Sequence, residues 1–195
     1  MIMQAQEKRY YSPEEYLELE VNSEERNEYI DGEIIVKTGG TPNHNQIAGN
    51  LSAALNFGLK RQPYQVFVAD QRLWIPNKRI HTYPDVMVVA GEIELAEGRK
   101  DTITNPVLIA EVLSKSTRNY DQVEKFAAYR TISTFQEYVL IDQYTMHVEH
   151  YYKTAPTKWI FSEYDGEEMM LSFSAFSFEI SLADIYNKVD FTTSD

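Results

Sequence analysis

The stretch PVLIAEVL, residues 106–113, constrains the fold more than any other part of the chain. A run this apolar suits a strand buried on both faces, the kind that lies in the interior of a sheet covered on each side. Its one ionisable residue, Glu111, is hard to dismiss as a bystander, because acids are rarely buried unless they are paired or metal-bound. The next segment, RNYDQVEKFAAYRT, reads as a helix with an apolar stripe of Val123, Phe126 and Ala127, and QEYVLID returns to strand. Strand, helix, strand points to a parallel crossover within one sheet, and so to a mixed α+β class.

The flanking segments fit around that sheet. YSPEEYLELE predicts a short helix, with Ser12 as N-cap, Pro13 at the first helical position and two acids in the first turn. NEYIDGEIIVK alternates about Asp31-Gly32, a two-residue hairpin turn. Thr41 and Pro42 open a long helix in which Ile47, Leu51 and Leu55 share a face. YQVFVAD, QRLWIP and TYPDVMVV are strand-like, and everything after Asp142 is β-rich, with a second Asp-Gly turn at 165–166. The chain has 195 residues and 43% hydrophobic content, enough for one sizeable core. A single domain over 1–195 is expected, with tails at 1–11 and 187–195, the β-rich C-terminal part adding strands to it.

Composition narrows the chemistry. The net charge of -12 works against loose attraction to polyanions, so phosphate chemistry here needs a cation. Cysteine is absent, which removes disulfides, thiolate nucleophiles and Cys-based zinc sites together and fits a cytoplasmic protein. No apolar run approaches the roughly 18 residues of a membrane span, so no membrane partner is expected.

Asp85 opens the strand TYPDVMVV, and Glu111 lies near the end of another. If those strands are neighbours, both carboxylates stand roughly 5 Å apart at one edge, where they repel unless a cation intervenes. Oxygen ligands without Cys favour a hard ion, Mg²⁺ or Mn²⁺, which keeps several waters and accepts a phosphate oxygen. Such a site lacks a cation to position water and steady the developing charge. Lys115 and Lys125 compete for that role. Lys125 shares a helix face with Asp121 and Tyr129 at spacings of four.

YPDVMVV, then PVLIAEVLSKSTRNYDQVEKFAAYR, then FQEYVLID resembles the signature of the Uma-two family of restriction-endonuclease-like proteins, matched through Asp85, Glu111, Asp121, Lys125 and Tyr129. NEYIDGEII and PNHNQIAGNL resemble that family's acid-bearing hairpin and its His-led helix, bringing in Glu28 and His44. The resemblance spans roughly residues 12 to 186. It implies a PD-(D/E)XK nuclease core, with a mixed sheet flanked by helices, carboxylates binding a divalent metal and a lysine completing the site. The standard motif places lysine two residues after the second acid, where this chain has Leu113. The resemblance therefore favours Lys125, on the following helix, over Lys115.

Other candidates have plainer readings. Asp121 and Lys125 at a spacing of four read as a surface salt bridge worth about 0.3 to 0.5 kcal/mol. His147 and His150 are spaced by three, which in a strand sends them to opposite faces and disfavours a metal pair. The Gly39-Gly40 pair is a turn, too short for a phosphate loop. The leading functional expectation is a Mg²⁺- or Mn²⁺-dependent nuclease acting on DNA. Asp85 and Glu111 bind the metal, Lys125 orients water, and Glu28, His44, Asp121 and Tyr129 touch substrate or support the site. A homodimer is expected. The alternative is a catalytically silent endonuclease-like scaffold kept for interaction or dimerisation.

Overall fold

The computed structural model describes residues 9–192. Of the two expected tails, positions 1–8 and 193–195 lie outside the described residues. In chain order the elements are α1 (Pro13–Val21), β1 (Asn27–Ile30), β2 (Glu33–Val36), α2 (Pro42–Gly58), β3 (Tyr64–Val68), β4 (Arg72–Ile75), β5 (Ile80–Thr82), β6 (Val86–Ala90), β7 (Thr102–Ile103) and β8 (Pro106–Leu113). A π-helical turn (Tyr120–Lys125) then runs into α3 (Phe126–Tyr129), followed by β9 (Glu137–Asp142), β10 (His147–Ala155), β11 (Lys158–Asp165), β12 (Met170–Ser172), β13 (Glu179–Ser181) and α4 (Leu182–Ile185).

A six-stranded sheet in the order β11-β10-β9-β8-β6-β3 forms the centre. Its β8 and β9 are parallel, as the crossover predicts, while the other neighbours are antiparallel. All eight residues of β8 are buried, because helices and strands cover both faces of the sheet. On one face α2 brings Ile47, Leu51 and Leu55 against Val86, Val88, Leu108 and Ala110. On the other, a second sheet ordered β2-β1-β5-β4-β7 and α3 enclose Met87, Val89, Ile109 and Leu113. This is the mixed α+β, helix-flanked sheet expected for a restriction-endonuclease-like core. The β-rich C-terminal part divides: β10 and β11 extend the central sheet, whereas β12 and β13 form a separate hairpin.

Local signals explain most of the boundaries. The Ser12 side chain accepts from the Glu15 N–H while the Glu15 carboxylate accepts from the Ser12 N–H, a capping box. Asp31 and Gly32 both take positive φ, as a two-residue turn with matching twist requires. The tail positions just before α1 are tied down as well, with Tyr11 N–H donating to the Gly32 carbonyl at 2.9 Å.

One local expectation fails. Val123 is 66% exposed, so it does not belong to the buried stripe of its helix. The inward residues of that segment are Asp121, Lys125, Ala128 and Tyr129. The segment winds with i→i+5 hydrogen bonds, Asp121 and Lys125 both turn inward, and the Tyr138 hydroxyl donates to the Asp121 carbonyl at 3.0 Å.

Candidate active site

The site lies on the face of the central sheet turned toward α3 and the second sheet. Val86 pairs with Ala110 across the antiparallel β6–β8 ladder, so Asp85, one residue earlier, stands opposite Glu111. Strand periodicity gives Asp85 the same face as Met87 and Val89, and Glu111 the same face as Ile109 and Leu113. The Glu111 carboxylate reaches the start of β6, its Oε2 lying 3.4 Å from the Asp85 backbone N–H, and the Asp85 charge is close enough to raise the Glu111 carboxyl. Both residues are buried, at 5% and 2% exposure.

Four further elements aim side chains at this pair. From the π-helical turn, Lys125 Nζ reaches Glu111 Oε1 at 3.1 Å and Asp121 Oδ1 at 3.0 Å. From α3, the Tyr129 hydroxyl donates to the same Glu111 oxygen at 2.6 Å. From β1, Glu28 Oε1 lies 3.9 Å from Lys125 Nζ and accepts from the Thr82 hydroxyl of β5 at 2.5 Å. At the N-terminus of α2, His44 Nε2 stands 3.0 Å from Asp85 Oδ2, which also accepts from the Val112 N–H at 2.9 Å. All seven residues singled out in the sequence thus meet in one place. The reading of Asp121 and Lys125 as a surface pair is overturned: both are buried, because the helix turns its polar side onto the sheet.

Second-layer contacts fix these groups. Thr41 caps α2 by accepting from the His44 N–H and donates to Gln143 Oε1, whose amide in turn donates to the Leu113 carbonyl at the end of β8. The helix start is thereby tied to the strand carrying Glu111. Gly40 is required by close approach, since a Cβ there would lie 2.6 Å from His44 Nδ1. The Tyr83 hydroxyl donates to Glu20 and accepts from Arg72, both at 2.8 Å, anchoring the segment that leads into Asp85.

The electrostatics separate the two acids. Burial pushes the Asp85 carboxyl up, but the hydrogen bond from His44, the Lys37 ammonium and the Val112 N–H outweigh it and hold it below the usual range. Glu111 goes the other way. Burial raises it, the neighbouring Asp85 and Asp121 add to the effect, and Lys125 offsets only part, leaving it at about 7. Burial alone would lower Lys125, yet Glu111, Glu28 and Asp121 more than reverse this, so it stays cationic and cannot serve as a general base. His44 is raised in the same manner, Asp85 outweighing desolvation.

Sequence reasoning missed Lys37, whose Nζ lies 2.6 Å from the Tyr83 carbonyl and 3.4 Å from Asp85 Oδ1. Nothing in its neighbourhood, GEIIVKTGG, separates it from a surface lysine. The rejected candidates stay apart from the acids. Lys115 is exposed, with its ammonium over the Tyr144 ring. His147 engages Asp165 while His150 bonds the buried Glu137.

The donor set suits one kind of metal. Among the described residues no three His, Cys, Asp or Glu side chains are arranged to hold a metal ion by themselves, so the oxygen ligands that Asp85 and Glu111 could offer are two carboxylates. That fits Mg²⁺ or Mn²⁺, which keep most of their waters, and does not fit zinc or an all-protein calcium cage. Burial first, and then the neighbouring Asp85 and Asp121, disfavour the Glu111 carboxylate, and a divalent cation held there would favour it.

Comparison with known proteins agrees with this architecture. The profile of the family Uma2, described as "Putative restriction endonuclease", matches residues 13–183. The chain is similar to two uncharacterized Synechocystis sp. PCC 6803 proteins. It is 44% identical to sll1609 over 160 residues, 82% of this chain and 90% of that protein. It is 34% identical to slr1290 over 161 residues, 82% and 83% of the two. A crystal structure of a "putative nuclease belonging to DUF820" from Anabaena variabilis ATCC 29413 has the same fold, with a TM-score of 0.72 over 90% of this chain and 97% of that one, at 21% identity.

Proposed function

Because the chain belongs to the Uma2 family, we propose that it is a metal-dependent nuclease that hydrolyses phosphodiester bonds in DNA. The observation that carries this reading is the placement of Asp85 opposite Glu111 at a buried strand edge, with the Lys125 ammonium bonded to Glu111. Asp85 and Glu111 would hold Mg²⁺ or Mn²⁺, which when bound polarises a phosphoryl oxygen and lowers the pKa of water.

The chain's own groups do the rest. Val112 N–H and His44 fix Asp85 as an anion, so one acid is always ready to ligate. Lys125, clamped among Glu111, Asp121 and Glu28, orients water and steadies the charge that develops on the phosphoryl oxygens. Tyr129 limits the positions that Glu111 can take. His44 supports the site from the α2 N-terminus, holding Asp85 through Nε2 at 3.0 Å, and the helix dipole there favours an anion.

The substrate has to tolerate an acidic protein. Among the basic residues, Arg79 engages Asp31, Arg99 engages Asp101 and Arg118 engages Asp142, so these three are not idle phosphate hooks. Single-stranded DNA, with its lower charge density, meets less repulsion than duplex. The test is calorimetric titration of Mn²⁺ into the protein and into Asp85→Ala, followed by a cleavage assay on labelled DNA. Saturable binding in the first and none in a folded Asp85→Ala is expected. Equal heats from both would remove the metal reading and favour a silent scaffold.

A further inference from the structure

We propose that Lys37 is the built-in competitor for the metal at Asp85, leaving the carboxylate when a divalent cation binds and then facing the phosphodiester. This rests on the metal reading above. The two Asp85 oxygens have different kinds of neighbours. Oδ2 is held by the Val112 N–H, a backbone group that cannot leave without breaking the sheet, and by His44, wedged against Gly40. Oδ1 has Lys37 Nζ at 3.4 Å, at the end of a flexible four-carbon stem. Oδ1 is therefore the Asp85 oxygen whose partner can leave, and a divalent cation held by this carboxylate would be repelled by the Lys37 ammonium beside it.

The exposures give the direction of movement. The Lys37 side chain is 27% exposed, against 7% for Asp85 and 10% for Lys125, so Lys37 stands at the mouth of the site while Lys125 forms its floor. Its backbone is fixed, with its N–H donating to the Arg26 carbonyl at 2.8 Å, and its Nζ keeps a second partner in the Tyr83 carbonyl at 2.6 Å. Lys37 can thus give up Asp85 without leaving the entrance. Displaced there, its ammonium presents a positive charge to an incoming phosphodiester, a charge this acidic surface otherwise supplies sparingly.

The experiment is Mn²⁺ titration by calorimetry at pH 8 into wild type, Lys37→Met, Lys37→Arg and Asp85→Ala. Lys37→Met should bind about tenfold more tightly than wild type, equivalent to about 1.4 kcal/mol. Lys37→Arg, which keeps the charge, should stay near wild type. If Lys37→Met binds equally or more weakly while Asp85→Ala binds nothing, the competitor role is overturned and the metal site stands. If wild type binds no Mn²⁺, the metal reading falls and the inference with it. At saturating Ca²⁺, the Kd for a labelled single-stranded oligonucleotide should rise several-fold in Lys37→Met, and an unchanged Kd overturns the phosphate-facing half.

Discussion

Replacing Glu111 by Gln should remove a loss of stability that the metal-free protein suffers as pH rises, while destroying its proposed activity. The carboxyl's folded-state value of about 7 lies above its ordinary 4.5. Below about 4.5 it is protonated in folded and unfolded chains alike and costs nothing. Between 4.5 and 7 the unfolded chain ionises first, so native stability falls by about 1.4 kcal/mol per pH unit. Above about 7 both states are ionised, and the folded protein carries the accumulated cost of about 3 kcal/mol. A glutamine amide has no acidic proton to lose, so the variant escapes this penalty. In EDTA, the stability of Glu111→Gln relative to wild type should therefore improve by about 3 kcal/mol between pH 4 and pH 8.5. For a chain of 195 residues that is about 7 °C in Tm. Comparing the two pH values cancels any constant packing change, and urea titration with circular dichroism reads the difference. A Glu111→Gln offset of the same size at both pH values would refute the claim that the site stores unfavourable charge.

Mn²⁺ affinity should follow the same group in the opposite sense, rising about tenfold per pH unit up to about 7 and levelling above it, because the metal competes with the Glu111 proton; calorimetry across pH 5.5 to 8.5 checks this. Lys125→Ala should remove DNA cleavage while leaving Mn²⁺ binding measurable, whereas Lys115→Ala, on an exposed loop, should change cleavage by less than about twofold. Gly40→Ala should disturb His44 by crowding Nδ1 at 2.6 Å, lowering cleavage with Mn²⁺ binding retained in a parallel titration. Leu51→Ala, fully buried between α2 and the sheet, should cost about 2–5 kcal/mol in urea unfolding with no change in the pH profile of metal binding.

Much of this molecule is written locally, and local chemistry is why it could be read in advance. Ser12, Thr41 and the Asp31-Gly32 turn act within a few residues of themselves, and the unbroken apolar run of β8 demands cover on both faces wherever it lies. Those features, with the strand-helix-strand order, are enough to specify a mixed sheet with helices packed on it and to put Asp85 and Glu111 under suspicion. What they cannot specify is which polar residues turn inward. The segment from Tyr120 to Tyr129 looks amphipathic with Val123 inside, yet Glu111 draws Lys125 and Tyr129 to the sheet, Lys125 brings its partner Asp121 with it, and Val123 is left in water. An ion pair formed across the fold outweighs a periodicity that assumes every buried face is apolar. Lys37 is the same lesson from another direction. It lies 48 residues from Asp85 along the chain, and only the packing of the second sheet against the first brings its ammonium within 3.4 Å of that carboxylate.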